Sequence, residues 1–148
     1  MKDGLDTMTL EDFEGVAALW EAVAMWPHIG EDRAWFEAAL QRNPGCGFVW
    51  RHAGRIVGTV IAGWDGFRGS IFHLAVLETH RNRGLGSALL AAAEQKLKSL
   101  GVFQINIMVY EQNGFAESLY HRRGYERSPV KVLRKRFCHA AQKTPEQD

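Results

Sequence analysis

The residues best suited to hold an anion lie in one short stretch, Arg81-Asn82-Arg83-Gly84-Leu85-Gly86-Ser87. Gly84 and Gly86 remove side chains where backbone has to approach a charged group. Arg81 and Arg83 add positive charge. An apolar run over 71–77 enters the stretch and a long helical pattern leaves it. Strand, glycine turn and helix start is the order that aims backbone N–H groups and a helix dipole at a phosphate. Two glycines beside an arginine also occur in plain tight turns, so the flanking elements carry the reading. A dinucleotide fingerprint needs G-x-G-x-x-G after the first strand and a P-loop needs a lysine after its last glycine. Neither pattern is present.

Two polar residues downstream share a helical spacing. Asn113 and Tyr120 are seven residues apart, close to two helical turns, so both can face one groove. Asn113 also suits a helix N-cap, and Tyr120 also suits a core position.

The elements that position these groups follow from periodicity. The piece before Thr9 reads as a short strand. Thr9-Leu10-Glu11-Asp12 resembles a capping box, and Phe13, Val16, Ala17, Trp20, Val23 and Ala24 recur at helical spacing. Trp26-Pro27 ends this helix. A second helix starts near Glu31-Asp32, presents Trp35, Phe36, Ala39 and Leu40, and stops at Asn43-Pro44-Gly45. The connection over 25–30, which holds Met25, Trp26, Pro27 and His28, is either packed down or part of a substrate cleft. Three strands in an antiparallel meander come next, over 48–51, 56–64 and 70–77. In the second, Val57, Thr59 and Ile61 share one face, and Ile56, Gly58, Val60 and Ala62 the other. After the glycine turn, Leu89, Leu90, Ala93, Leu97 and Leu100 trace a helix that ends at Gly101. A strand over 103–110 then implies a parallel neighbour, because a strand–helix–strand unit returns that way. Asn113 opens a last helix that ends at Gly124. Residues from 125 onward, with 130–137, read as a closing pair of strands, and 139–148 as a frayed tail.

Bulk composition narrows the class. The 148 residues suit a single domain spanning 1–148. A net charge of +1 gives no general case for nucleic acid or an anionic membrane. Cys46 and Cys138 are far apart and form no metal-ligand spacing, so no metal site is expected and a reduced, cytoplasmic chain is. No apolar segment reaches a spanning length of about 18 residues. Arg122-Arg123 reads as a cationic helix end, with a contact to a cofactor phosphate as the sharper alternative. Lys131, Arg134, Lys135 and Arg136 read as a solvated face.

The stretch over 71–125 resembles the GCN5-related N-acetyltransferase (GNAT) superfamily. Its motif, [Arg/Gln]-x-x-Gly-x-[Gly/Ala], is matched by Arg81, Gly84 and Gly86. The accompanying Asn and Tyr-x-x-x-Gly-[Phe/Tyr] are matched by Asn113 and by Tyr120 through Tyr125. The loop over 63–69 is also similar to that of a subgroup of small bacterial members. The resemblance implies an α/β (α+β) fold: a mixed, mostly antiparallel twisted sheet, a parallel V-shaped splay between central strands, and about four flanking helices. It implies acetyl-CoA (coenzyme A) as cofactor. Leu74, Ala75 and Val76 would bond the pantetheine arm. Arg81, Arg83, Gly84, Leu85, Gly86 and Ser87 would hold the pyrophosphate. Asn113 and Ala116 would close the other side. Tyr120 would be the acid, and a backbone N–H at Val76 or Leu77 would stabilise an oxyanion; the candidate bases are Glu78, Glu111 and His73, the two acids also reading as solvated loop residues, with an ordered water as the equal alternative. Relatives acting on ribosomal-protein N-termini place a Glu five residues before the Asn; here that residue is Met108, which weakens that assignment.

The expected function is acetyl transfer to a primary amine of a small molecule or peptide, by direct attack in a ternary complex. A CoA-binding regulatory module with little catalysis is the alternative, and an assembly protein using aromatic surface a third. A homodimer is expected by analogy. No nucleic-acid or membrane partner is expected.

Overall fold

A computed structural model describes residues 2–25, 33–111 and 113–137. The start of the second helix at Glu31-Asp32, residues 26–30 of the connection before it and the 139–148 tail lie outside these residues. The described elements are β1 (Gly4–Thr7), α1 (Phe13–Ala22), α2 (Arg33–Arg42), β2 (Gly47–His52), β3 (Arg55–Trp64), β4 (Gly69–Val76), α3 (Leu85–Ser99), β5 (Ile105–Ile107) and α4 (Gly114–Arg122). They form one sheet in the order β1-β2-β3-β4-β5. The first three pairings are antiparallel and β4–β5 is parallel. The mixed sheet and four helices agree with the expected fold.

Each sheet face carries its own core. On one face Val16, Leu19 and Trp20 of α1 and Phe36 of α2 cover Val49 and Ile61. On the other, Leu89, Leu90, Ala93 and Leu97 of α3 cover Val60, Ala62 and Ile71. This is the alternation that a strand buried on both sides requires. Ile56 departs from it. The β2–β3 register slips between Trp50 and Arg51, so Arg51 opposes Ile56 and Val57 is the extra residue. An extra residue moves a side chain to the other face, and Ile56 packs with α1 rather than beside Val60. Leu100 caps α3 and is partly exposed instead of joining its buried face.

A buried fork fixes α1 to the sheet. Asp12 precedes α1 in a 3-10 turn, and Arg51 Nη1 and Nη2 donate to its two carboxylate oxygens at 2.9 and 3.1 Å. Thr9 N–H donates to the same carboxylate. Burial opposes ionisation of Asp12, but the Arg51 and Thr9 hydrogen bonds outweigh it and hold the carboxyl below its usual range.

Two expectations at the far end of the chain are corrected. The strand expected over 103–110 is laddered only at Ile105–Ile107, because β4 diverges beyond that point and leaves 108–110 no neighbour. The closing strands do not form over 125–137. A three-residue β5 offers few backbone groups to hold a further strand, and Pro129 brings no N–H of its own.

Candidate active site

The site begins where β4 leaves β5. Gly69, Ser70 and Ile71 pair with Ile105, Asn106 and Ile107, and the ladder then stops. β4 continues to Val76 with β3 on one side only. A bulge sits at the point of departure. Thr59 opposes Ala75 and Ile61 opposes Phe72, so His73 and Leu74 share one place opposite Val60. His73 takes a left-handed φ of +54°, uncommon for a residue with a side chain. Two hydrogen bonds hold it there. The Trp20 indole N–H donates to Thr59 Oγ1, and the Thr59 hydroxyl donates to the His73 carbonyl, each at 2.9 Å. Trp20 and Thr59 are fully buried, so this relay works without competition from water. The His73 ring lies against Trp20 and Trp35, with centroids 4.3 and 5.3 Å apart.

The open edge of β4 carries backbone groups that face away from β3. Leu77 N–H donates to the Val57 carbonyl at 2.8 Å, so it is not available as an oxyanion donor, contrary to one of the two sequence alternatives. Antiparallel ladders alternate, and this turns the Val76 N–H outward. The Val76 carbonyl accepts from Arg81 Nε at 3.0 Å. Arg81 therefore ties the turn to the strand end through its guanidinium.

The turn then delivers α3. Asn82 and Gly84 take left-handed φ values of +64° and +81°. Gly84 is the N-cap of α3 and has no side chain to cap it. The first-turn N–H groups, those of Leu85, Gly86 and Ser87, have no partner within the helix. A Cβ at Gly86 would come within 3.2 Å of Leu119 Cδ2, so a glycine here lets α3 approach α4 closely.

A cleft of about 410 Å³ joins these parts. Of the expected cofactor residues, Leu74, Ala75, Val76, Arg81, Gly84, Leu85, Gly86, Ser87, Asn113 and Ala116 line it. Arg83 does not. Asn113 is also the N-cap of α4, its Oδ1 accepting from the Ala116 N–H at 3.2 Å, so both sequence readings of that residue coexist. Tyr120 is not on the wall. It is buried in the α3-side core, its ring edge-on to Tyr125 at 5.9 Å, and burial pushes its hydroxyl pKa up. Glu78 lies in an exposed 3-10 turn and Met108 is exposed beyond β5; neither lines the cleft.

Sequence reasoning missed Val23, His80 and Leu119 on the wall and left Arg122 undecided, while Met25 joins the wall as the cleft alternative for its connection expects. Three-residue steps from Asn113 through Ala116 and Leu119 to Arg122 were the available signal for α4. Burial, Arg83, His52 and Arg55 together push the His80 pKa down, so its ring is neutral at neutral pH. The described lining residues include no carboxylate. No metal-ligating cluster occurs among the described residues.

A sequence model described as Acetyltransferase (GNAT) family matches residues 9–125. The chain belongs to this family. An acetyltransferase from Yersinia pestis (strain Pestoides F) is 36% identical over 127 residues, covering 86% of this chain and 90% of the relative. Among solved structures, the PaiA N-acetyltransferase from Thermoplasma acidophilum in complex with coenzyme A superposes with a TM-score of 0.73 at 14% identity, over 88% of this chain and 94% of that one. The ribosomal-protein-S18-alanine N-acetyltransferase from Escherichia coli gives 0.72 at 20% identity, over 84% and 77%. These two likenesses concern the fold. The GNAT chain is an N-acetyltransferase, and its cofactor is acetyl-CoA. Its own residues fit that group: an uncapped helix N-terminus suits a pyrophosphate, and an unpaired strand edge suits the amides of a pantetheine arm.

Proposed function

We propose that this acetyltransferase acylates a primary amine of a small molecule or peptide, by direct attack in a ternary complex. The observation that carries the reading is that the open β4 edge and the uncapped first turn of α3 line one cleft. Acetyl-CoA supplies an acetyl group on a thioester. Leu85, Gly86 and Ser87 N–H groups hold its pyrophosphate, with Gly84 giving the turn its left-handed step and Arg83 adding long-range charge. The edge over 74–76 and the Asn113–Ala116 wall hold the arm between them.

The remaining work falls to named groups. The Val76 N–H, aimed into the open edge, donates to charge that develops on an acyl oxygen. Tyr120 lies in the core behind the cleft wall, where burial disfavours the phenolate and keeps the hydroxyl protonated, so it serves as the acid through an intervening water. A primary amine with a pKa of about 10.4 has to lose a proton before it attacks. Glu78, Glu111, His73 or an ordered water accepts it. Since no carboxylate lines the cleft among the described residues, water-mediated removal toward Glu78 is the form we favour.

Tyr120→Phe is expected to lower kcat by about 10²-fold or less, because a thiol with a pKa of about 8.5 already leaves tolerably. Thiol release across an amine panel measures this. Abolished turnover, with fold and CoA binding intact, contradicts it. The same absence of acids favours, as a second reading, a CoA-binding module with little catalysis; no turnover on any amine would select it.

We further propose one domain over 1–148, a cytoplasmic setting and a homodimer. Buried, unpaired Cys46 fits a reducing compartment. Exposed Phe103, Met108, Tyr110, Val130, Leu133 and Phe137 supply apolar surface for a second copy.

A further inference from the structure

The cleft has more positive groups near it than the turn alone requires, and most of them are already engaged. Arg81 is bonded to the Val76 carbonyl. Arg123 is paired with Glu94, and Arg127 with Glu117. Arg83 does not line the cleft, and His80 does so as a neutral ring held against Thr79 and His52. Arg122 differs from all of these. It lies on the cleft wall, three residues after Leu119, and its guanidinium makes no ion pair or hydrogen bond with the described residues.

An arginine at a helix C-terminus can simply complement the dipole. Here the neighbouring Arg123, the C-cap of α4, also meets that need, and its guanidinium turns to Glu94 on α3. The Arg122 guanidinium is left for a ligand. The pyrophosphate is served by α3 on the opposite wall. Coenzyme A carries a second phosphate, a monoester on its ribose, that is dianionic at neutral pH. A planar fork of N–H donors suits such a group better than a point charge does.

We propose that Arg122 binds the ribose 3′-phosphate of the cofactor and thereby sets the preference for coenzyme A over 3′-dephospho-coenzyme A. This rests on the reading that the α3–α4 cleft holds coenzyme A. Arg122 acts on binding and not on the acyl chemistry. Lysine there keeps the charge and loses the fork.

Calorimetric Kd values for coenzyme A and 3′-dephospho-coenzyme A test this, on wild type, Arg122→Gln, Arg122→Lys and Arg55→Gln. Wild type is expected to prefer coenzyme A by about tenfold or more, the scale of a charge-assisted pair. Arg122→Gln should weaken coenzyme A by about the same factor and leave the dephospho form within about twofold. Arg122→Lys should fall between. Equal weakening of both ligands, or no change in either, overturns the proposal. So does loss of the preference in Arg55→Gln with Arg122→Gln unaffected, which would move the phosphate to the His52–His80 side. Wild type binding neither ligand would overturn the cleft reading itself, an outcome the four proteins separate from the others. Arg122 is exposed, so matching melting temperatures verify that the variants fold.

Discussion

His121 stands between two acceptors. Its Nδ1 faces the Tyr125 carbonyl at 2.8 Å and its Nε2 faces a Glu117 carboxylate oxygen at 3.0 Å. A neutral imidazole donates through one nitrogen only, so both bonds require the imidazolium. The Tyr125 carbonyl first, and Glu117 next, push the His121 pKa up. Arg127 and then His121 hold Glu117 down at about 2. The signs follow. A raised histidine contributes stability fully below its unfolded pKa of about 6.5 and loses it as pH rises through the folded value. A lowered carboxylate contributes above about 4.5 and loses it toward about 2. Melting temperature should therefore decline as pH rises past about 6.5, and His121→Gln should flatten that limb. Parallel profiles for the two proteins would contradict this. At this scale the sequence marked Asn113, because its type and spacing suited both cap and groove. It could not separate Arg122 from Arg123, since two cations at a helix end read alike until one finds Glu94.

The elements that matter most are β4 and the turn after it. The bulge at His73 is what separates β4 from a flat continuation alongside β5, and Thr59 links it to Trp20. Thr59→Val keeps the shape and removes both bonds. It takes the Thr59 oxygen from the buried Trp20 indole N–H, at a cost of about 1–3 kcal/mol. Thr59→Ser retains the hydroxyl and should lose less. Urea midpoints compare the two, and equal stability would deny the relay its role. Thr59→Val should also lower kcat/KM, since the edge over 74–76 begins at the bulge. Nothing in the apolar run over 71–77 announced an extra residue, because alternation looks the same in a strand buried on both faces. His73 alone interrupts it, and the sequence reading weighed His73 only as a base. The glycine turn was legible because Gly84 and Gly86 do work that other residues do poorly: a left-handed step and a close approach to Leu119.

For the whole molecule, element order, the parallel step and the two-faced sheet were readable from period and punctuation. The closing strands over 125–137 were not, because high β-propensity at Val130, Val132 and Leu133 cannot create an edge to pair with. Those residues remain exposed, together with Phe103 and Met108. If a second copy covers them, the protein elutes as a dimer at micromolar concentration, and Leu133→Lys with Phe137→Lys shifts it to monomer. A monomer in the unaltered protein would remove the dimer. We place one acetyl-CoA site at the splay and the α3 turn. Thermal unfolding against acetyl-CoA concentration tests it most directly. A ligand at a hundredfold excess over Kd adds about 2.7 kcal/mol, a rise of about 5–10 °C for a chain of this size. That rise is expected, growing with the logarithm of concentration; an unchanged melting temperature at millimolar acetyl-CoA would contradict a cofactor site in this cleft.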